Sequence, residues 1–127
     1  MSIIQDHAYL TLINTFSVKP ENQKGLIDLL QTATEDVMRN LPGFISANIH
    51  RSLDGKKVVN YAQWRSLDYY ESMKQNPLAQ EHMKEVEKMC EKIDSVITEV
   101  ESTHEGDHMD PPPMPGFLER FENNSPI

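Results

Sequence analysis

The chain has 127 residues, 38% of them hydrophobic and 25% charged, with a formal net charge of −8, which fits one globular domain and argues against nucleic acid as a partner. Its single cysteine, Cys90, excludes an intrachain disulfide and suits a reducing compartment. The N-terminal residues lack the basic and apolar regions of a signal peptide, and no stretch approaches the roughly 18 apolar residues of a membrane span. We therefore expect a cytoplasmic protein that does not associate with a membrane.

The first third of the chain predicts a strand followed by a helix. Residues 8–18 alternate between two faces, and Asn14 and Phe16 share one face with two leucines. Pro20 is suited to the start of a helix, where its missing N–H is not needed. Apolar residues then recur at helical spacing up to a turn at residues 41–44.

A β-hairpin is predicted next. Residues 44–53 form the outgoing strand, an Asp-Gly pair gives a strong turn signal, and residues 58–66 form the returning strand. The returning strand, VVNYAQWRS, is unusual because asparagine is depleted in strands. Alternation nevertheless places Asn60 and Trp64 on the same face as two small apolar residues.

The remaining regular structure is predicted as a broken helix and a last strand. Ser66 can cap a helix that begins at SLDYYESM, and Asn76-Pro77 breaks or restarts it. Residues 95–103 alternate as a strand. The restarted helix carries a stripe at helical spacing that consists of Leu78, His82, Val86, Met89, Cys90 and Ile93.

The order β-α-β-β-α-β predicts an α+β, ferredoxin-like fold, with one antiparallel sheet and helices on one face. We assign residues 1–104 to this domain and residues 105–127 to a proline-rich C-terminal extension, in which an apolar stripe predicts a short helix at residues 114–121. The predicted second face of the sheet is too apolar to leave in water, and we expect it to pack against a second copy in an isologous homodimer. That face consists of Tyr9, Ile13, Ile45, Ala47, Ile49, Val59 and Tyr61.

Polar side chains converge on the predicted space between sheet and helices. Asn14, Asn60 and Trp64 face the helices from the sheet, His82 interrupts the apolar helical stripe, and Tyr70 opens the preceding helix. Taken singly, a Trp, a His or a Tyr in such a position is more often a core residue than a functional one. An apolar pocket with several convergent polar groups is, however, the usual form of a small-molecule site. The apolar lining would include Phe16, Leu78 and Val86.

Other chemistry has weaker support in the sequence. His104, Asp107 and His108 could ligate a metal, but a solvated tail segment is the simpler interpretation, and Cys90 lies on an apolar stripe as a small buried residue. No glycine-rich phosphate loop or nucleophile elbow is present. We therefore expect no metal and no cofactor.

The segments LINTFSVKPE, LPGFISANIHRS, VVNYAQWRS and SLDYYESM resemble the antibiotic biosynthesis monooxygenase family over roughly residues 8–104. The resemblance implies a dimeric α+β barrel and cofactor-free oxygenation of electron-rich phenols, hydroquinones or anthrones to quinones by molecular oxygen. It also implies that Asn60, Trp64 and Tyr70 form the reactive pocket, and we add His82 as a catalytic candidate because an imidazole changes charge near neutral pH.

Two alternatives remain open. A haem-degrading branch resembles the chain at Asn14 and His82, but that branch has a Trp in the second helix, and Trp64 is the only tryptophan present. A non-catalytic dimeric barrel that binds an aromatic or haem-like ligand would need the same pocket without turnover.

Overall fold

A computed structural model describes residues 9–107, which contain four strands and three α-helices. The sheet has the strand order β2-β3-β1-β4, and every pairing is antiparallel. This arrangement confirms the predicted α+β, ferredoxin-like fold. The elements are β1 (Leu10–Ser17), α1 (Gln23–Asp36), β2 (Phe44–Arg51), β3 (Lys57–Trp64), α2 (Leu67–Lys74), α3 (Pro77–Met89) and β4 (Lys92–Glu99).

The helices begin and end where the chain supplies the appropriate residues. Pro20 opens a short 3-10 turn that leads into α1. The break between α2 and α3 falls at Asn76-Pro77, as predicted, because the Asn76 side chain accepts hydrogen bonds from the backbone N–H groups of Leu78 (2.9 Å) and Ala79 (3.1 Å). This cap satisfies two of the backbone N–H groups that have no partner within the first turn of α3.

The end of α3 differs from the prediction. The helix stops at Met89, Cys90 is extended, and Ile93 belongs to β4, so the apolar stripe continues from a helix into a strand. β4 covers residues 92–99 rather than 95–103, because its pairing with β1 begins directly opposite Ser17. The boundary depends on pairing with a distant strand, which helical spacing cannot show.

One face of the sheet packs against the helices in two apolar clusters. The first surrounds Leu12, Trp64 and Met73, and the second surrounds Phe16 and Leu26. Burying these side chains provides the main stabilisation of the fold. The same face also borders a cavity between the two clusters and the helices.

The other face of the sheet is less apolar than predicted. A β-bulge between Phe44 and Ser46 shifts the register of β2, so Ala47 lies opposite Ala62 and Ile49 lies opposite Asn60, on the helix side. The prediction that these two residues belong to the outer face is therefore wrong. Ser46, Asn48 and His50 lie on the outer face of β2 instead.

An apolar patch nevertheless remains on the outer face. Tyr61, Ile13 and Val96 are cross-strand neighbours on β3, β1 and β4, and Val59 lies next to them. Val96 is 53% exposed.

In the described part of the chain no helix is long and apolar enough to cross a membrane. The helix predicted at residues 114–121 of the C-terminal extension lies outside the described residues.

Candidate active site

A cavity of about 280 Å³ lies between the sheet and the three helices. It is close to the lower end of the roughly 300–1,000 Å³ typical of small-molecule sites, and most of its wall is apolar. The polar residues that line it are Asn14, Thr34, Asn60, Trp64, Tyr70, His82, Glu87 and Ser95. Seven of the eight predicted site residues therefore line the cavity, and they are Asn14, Phe16, Asn60, Trp64, Tyr70, His82 and Val86.

The polar floor of the cavity is a row across three strands. Asn14 on β1 is the direct partner of Asn60 on β3 and of Ser95 on β4. Side chains paired in this way stand next to one another on the same face of the sheet. The Ser95 hydroxyl donates a hydrogen bond of 2.5 Å to Asn14 Oδ1. Ser95 was not predicted, because the register between β1 and β4 cannot be seen in the sequence.

Asn60 contributes an unused hydrogen-bonding atom. Its Oδ1 is buried, and it has no hydrogen-bond partner among the described residues. Leaving a buried carbonyl oxygen without a partner costs about 1–3 kcal/mol. Because a folded chain seldom retains such a group without a use, the atom is a candidate for contact with a bound ligand.

Aromatic rings form one wall. Trp64 ends β3 and is only 2% exposed. Its indole makes edge contacts with the rings of Phe44, at 5.4 Å between centroids, and Tyr70, at 6.4 Å. This packing holds the indole in one orientation beside the cavity. Phe44 is a further lining residue, and it was not predicted. A phenylalanine is also an ordinary first residue of a strand, so nothing in the sequence marks it as part of a site.

Tyr70 lies in the first turns of α2, which Ser66 precedes. Burial raises the pKa of the Tyr70 phenol above its ordinary value of 10.0, and Glu71 raises it further, while Lys74 acts in the opposite direction. The Lys74 ammonium lies 5.4 Å from the centre of the phenol ring. The phenol is therefore a neutral hydrogen-bond donor at physiological pH.

α3 forms a further part of the cavity wall. His82 is half-buried and lines the cavity, together with Val86 and two residues that were not predicted, Met83 and Glu87. Phe16 also lines it, as predicted. Leu78 does not, because it lies in the first turn of α3 with 57% of its surface exposed.

Metal ligation has no structural basis in the part of the chain that is described. Among residues 9–107, no group of three or more His, Cys, Asp or Glu side chains could hold a metal ion. His104 and Asp107 are exposed in an irregular segment, and His108 lies outside the described residues.

The single cysteine is not activated as a nucleophile. At Cys90, burial raises the pKa of the thiol, which disfavours the reactive thiolate.

The chain is thus an α+β protein with a ferredoxin-like fold. The aromatic, partly polar cavity between its sheet and its helices is of the kind that binds small molecules. The model of the antibiotic biosynthesis monooxygenase family matches residues 9–85, and the chain belongs to that family. The chain is 51% identical over 72 residues to tetracenomycin-F1 monooxygenase of Streptomyces glaucescens. The matched region covers 57% of this chain and 64% of that relative, so the match spans less than two thirds of the relative's length.

Solved structures with a similar fold support the same family assignment. A monooxygenase of Streptomyces coelicolor, encoded by ActVA-Orf6 and solved with nanaomycin D, has a TM-score of 0.72 and 27% identity over 80% of this chain and 95% of its own. SnoaB of Streptomyces nogalater, a cofactor-independent oxygenase, has a TM-score of 0.64 over 76% of this chain and 96% of its own. At 19% identity, the second comparison bears on the fold alone.

Proposed function

We propose that the chain is a cofactor-independent monooxygenase that oxidises an electron-rich aromatic compound, of the phenol, hydroquinone or anthrone type, to a quinone. The observation that carries the proposal is the unpartnered, buried Asn60 Oδ1 in a cavity with an aromatic wall. Such a cavity offers a mostly apolar space for rings and polar groups for a ring oxygen. Membership of the family and similarity to the tetracenomycin-F1 monooxygenase of Streptomyces glaucescens support the choice of reaction.

The reaction can proceed without a cofactor because the substrate supplies all the electrons. Molecular oxygen is a triplet and reacts slowly with closed-shell molecules, but a deprotonated anthrone or hydroquinone is electron-rich enough to give it one electron. Recombination forms a C–O bond and a substrate peroxide. The O–O bond then breaks, and the outer oxygen atom leaves as water with two substrate hydrogens. The inner oxygen atom stays on a ring carbon that had carried hydrogen, as the new carbonyl of the quinone that an anthrone or a phenol gives, or as the hydroxyl group of the hydroxyquinone that a hydroquinone gives.

The amides would bind the ring oxygen. Asn60 Oδ1 can accept a hydrogen bond from a neutral hydroxyl, and the amide turned by half a rotation presents its NH₂ group to an anion. Asn14 is its direct neighbour across β1 and β3. Donors aimed at a developing negative charge stabilise it strongly in a site that excludes water.

The aromatic and titratable residues would complete the site. Trp64, fixed by its edge contacts with Phe44 and Tyr70, would form part of the wall against which the substrate rings pack. The neutral Tyr70 phenol can donate a proton or a hydrogen bond as the O–O bond breaks. His82 also lines the cavity, and its imidazole can accept the proton that the substrate loses.

We further propose that the protein acts as a homodimer. The supporting observation is the apolar patch of Ile13, Val59, Tyr61 and Val96 on the face of the sheet that no described helix covers. Burying an apolar patch of this kind against a second copy of the chain removes it from water and thereby stabilises a dimer. The patch is smaller than predicted, because the β2 bulge turns Ala47 and Ile49 towards the helices.

Oxygen uptake with a panel of anthrones and hydroquinones tests the enzymatic function, using chelator-treated protein and Asn60→Ala as the control. We expect uptake of one oxygen molecule per quinone formed and, with ¹⁸O₂, one labelled atom in the quinone. Release of hydrogen peroxide with no label in the product would contradict the monooxygenase reaction. Tight binding of a panel member without turnover would instead support the non-catalytic ligand-binding function.

A further inference from the structure

We propose that Met83 is a specificity-determining residue that binds the outermost ring of the substrate and so favours extended ring systems over short ones. The inference rests on the proposed function for the class of ligand, a planar aromatic compound. It adds a size requirement to that function, because only a ligand with several fused rings extends from the aromatic wall of the cavity to Met83.

Met83 lies where the cavity meets solvent. Among the described residues that line the cavity, only Met83, Glu87 and Ser95 are exposed, and Met83 is 40% exposed. A side chain that lines a cavity and is also exposed borders both the cavity and the solvent. Met83 and Glu87 are one helical turn apart and share a face of α3, while Ser95 lies on β4. The solvent boundary of the cavity therefore lies along α3 and β4.

This boundary is far from the aromatic wall. Ser95 lies two strands across the sheet from Trp64 and four residues further along the strands. With about 4.8 Å between strands and about 3.3 Å per residue, the Cα atoms of Trp64 and Ser95 are roughly 16 Å apart. A single ring packed on the wall therefore does not reach β4.

The short connection between α3 and β4 places Met83 at the Ser95 end of the cavity. Only two residues separate the helix from the strand, and Val86 and Ile93, one on each side of them, pack in the same apolar cluster. Met83 lies about 9 Å before the end of the helix, and Ser95 lies about 10 Å after the start of the strand. A ligand that contacts both Trp64 and Met83 must therefore span most of the cavity.

The Met83 side chain has apolar surface that the fold itself does not use. It belongs to neither of the two apolar clusters of the described residues. Its surface is instead divided between the cavity and solvent. A ring at this end of the cavity would remove that surface from water. The unbranched thioether can adapt to the ring and make a favourable contact with its edge.

The test compares the binding of 2,3-dimethyl-1,4-naphthoquinone and 5,12-naphthacenequinone, which share a quinone ring but have two and four fused rings. Trp64 is the only tryptophan and lines the cavity, so quenching of its fluorescence reports occupancy directly. Met83→Ala removes the side chain, and Met83→Leu keeps an apolar side chain of similar volume. Leu78→Ala is the matched control, because it removes an exposed apolar side chain of α3 that does not line the cavity.

We expect the wild type to prefer the four-ring quinone and Met83→Ala to reduce this preference by about three- to tenfold, the range expected when a ring no longer covers one methionine side chain. Met83→Leu should retain most of the preference and Leu78→Ala all of it, and all three variants should melt near the wild-type temperature. An unchanged preference in Met83→Ala, an equal reduction in Leu78→Ala, or the absence of quenching by both quinones would overturn the inference. Since no turnover is measured, absence of oxygenase activity would contradict the proposed function without affecting this result.

Discussion

Asn60 and Gln63 are two amides on the same strand that point to opposite faces of the sheet and have opposite hydrogen-bonding states. Gln63 is 3% exposed, donates to Thr11 Oγ1 at 3.3 Å and accepts from Ser46 Oγ at 3.3 Å. Asn60 Oδ1 is buried without a partner among the described residues. The first amide thus links three strands, whereas the oxygen of the second takes no part in holding the described sheet together.

Asn60→Ala should reduce oxygenation far more than it reduces stability. No hydrogen bond to Oδ1 is lost, so we expect the free energy of unfolding to change by no more than about 1 kcal/mol. Loss of a donor to the developing anion should lower kcat by about 10²-fold. Oxygen uptake per folded molecule and urea unfolding measure the two effects separately.

Gln63→Ala should show the reverse pattern. The substitution leaves Thr11 and Ser46 without their partner and should lower the free energy of unfolding by about 1–3 kcal/mol. Activity per folded molecule should persist, because Gln63 faces away from the cavity. If both variants lose stability and neither loses specific activity, Asn60 is a structural residue.

The sequence predicted those parts of the site that depend on local periodicity. Strand alternation placed Asn60 and Trp64 on one face, and the Ser66 signal placed Tyr70 at the start of a helix. It could not predict what depends on pairing between distant strands. The bulge after Phe44 changes which face Ala47 and Ile49 occupy, and the β1–β4 register brings Ser95 to Asn14.

Ionisation of Tyr70 should contribute to alkaline unfolding. Burial raises the pKa of this phenol above 10.0 in the folded state, so folding favours the protonated form. The resulting stabilisation is complete below about pH 10, the ordinary value, and is lost as the pH rises through the folded pKa. The free energy of unfolding of Tyr70→Phe should therefore fall less than that of the wild type between pH 9 and pH 11.

Urea unfolding at both pH values measures this difference. Tyr69→Phe provides the control for removal of a tyrosine hydroxyl, because the Tyr69 ring is 40% exposed and does not line the cavity. A Tyr70→Phe protein whose stability falls as steeply as that of the wild type would show that burial of the phenol does not favour its neutral form.

Gly43→Ala should destabilise the aromatic wall of the cavity. Gly43 has a φ of +83°, and an added Cβ would lie 2.2 Å from Cγ of Tyr69. Its carbonyl accepts a 2.8 Å hydrogen bond from the Arg65 backbone N–H, directly after Trp64. The clash should therefore displace the beginning of α2 and weaken ligand quenching of Trp64 fluorescence.

Gly55→Ala is the matched control for the backbone cost. Gly55 has a similar φ of +80°, but an added Cβ would come no closer than 3.3 Å to Pro20. Both variants should lose about 1 kcal/mol or more from the left-handed conformation. Gly43→Ala should lose additional stability and binding, and equal losses in the two variants would contradict a role for the Gly43–Tyr69 contact.

Val59→Asp should weaken the proposed homodimer without unfolding the chain. Val59 lies on the outer face of the sheet opposite Thr15 and His50, next to the patch of Ile13 and Tyr61. An unpaired carboxylate buried in the interface costs about 3–5 kcal/mol, so sedimentation at micromolar concentration should show twice the chain mass for the wild type and the single mass for the variant.

Ile49, which sequence alternation had placed on the same face, is unsuitable because it packs against the core, where a charge would unfold the chain. Leu53→Asp introduces the same charge at a hairpin residue that is 59% exposed and should leave the mass unchanged. A wild-type monomer, or a Val59→Asp protein that dimerises as well as Leu53→Asp, would contradict sheet-to-sheet association.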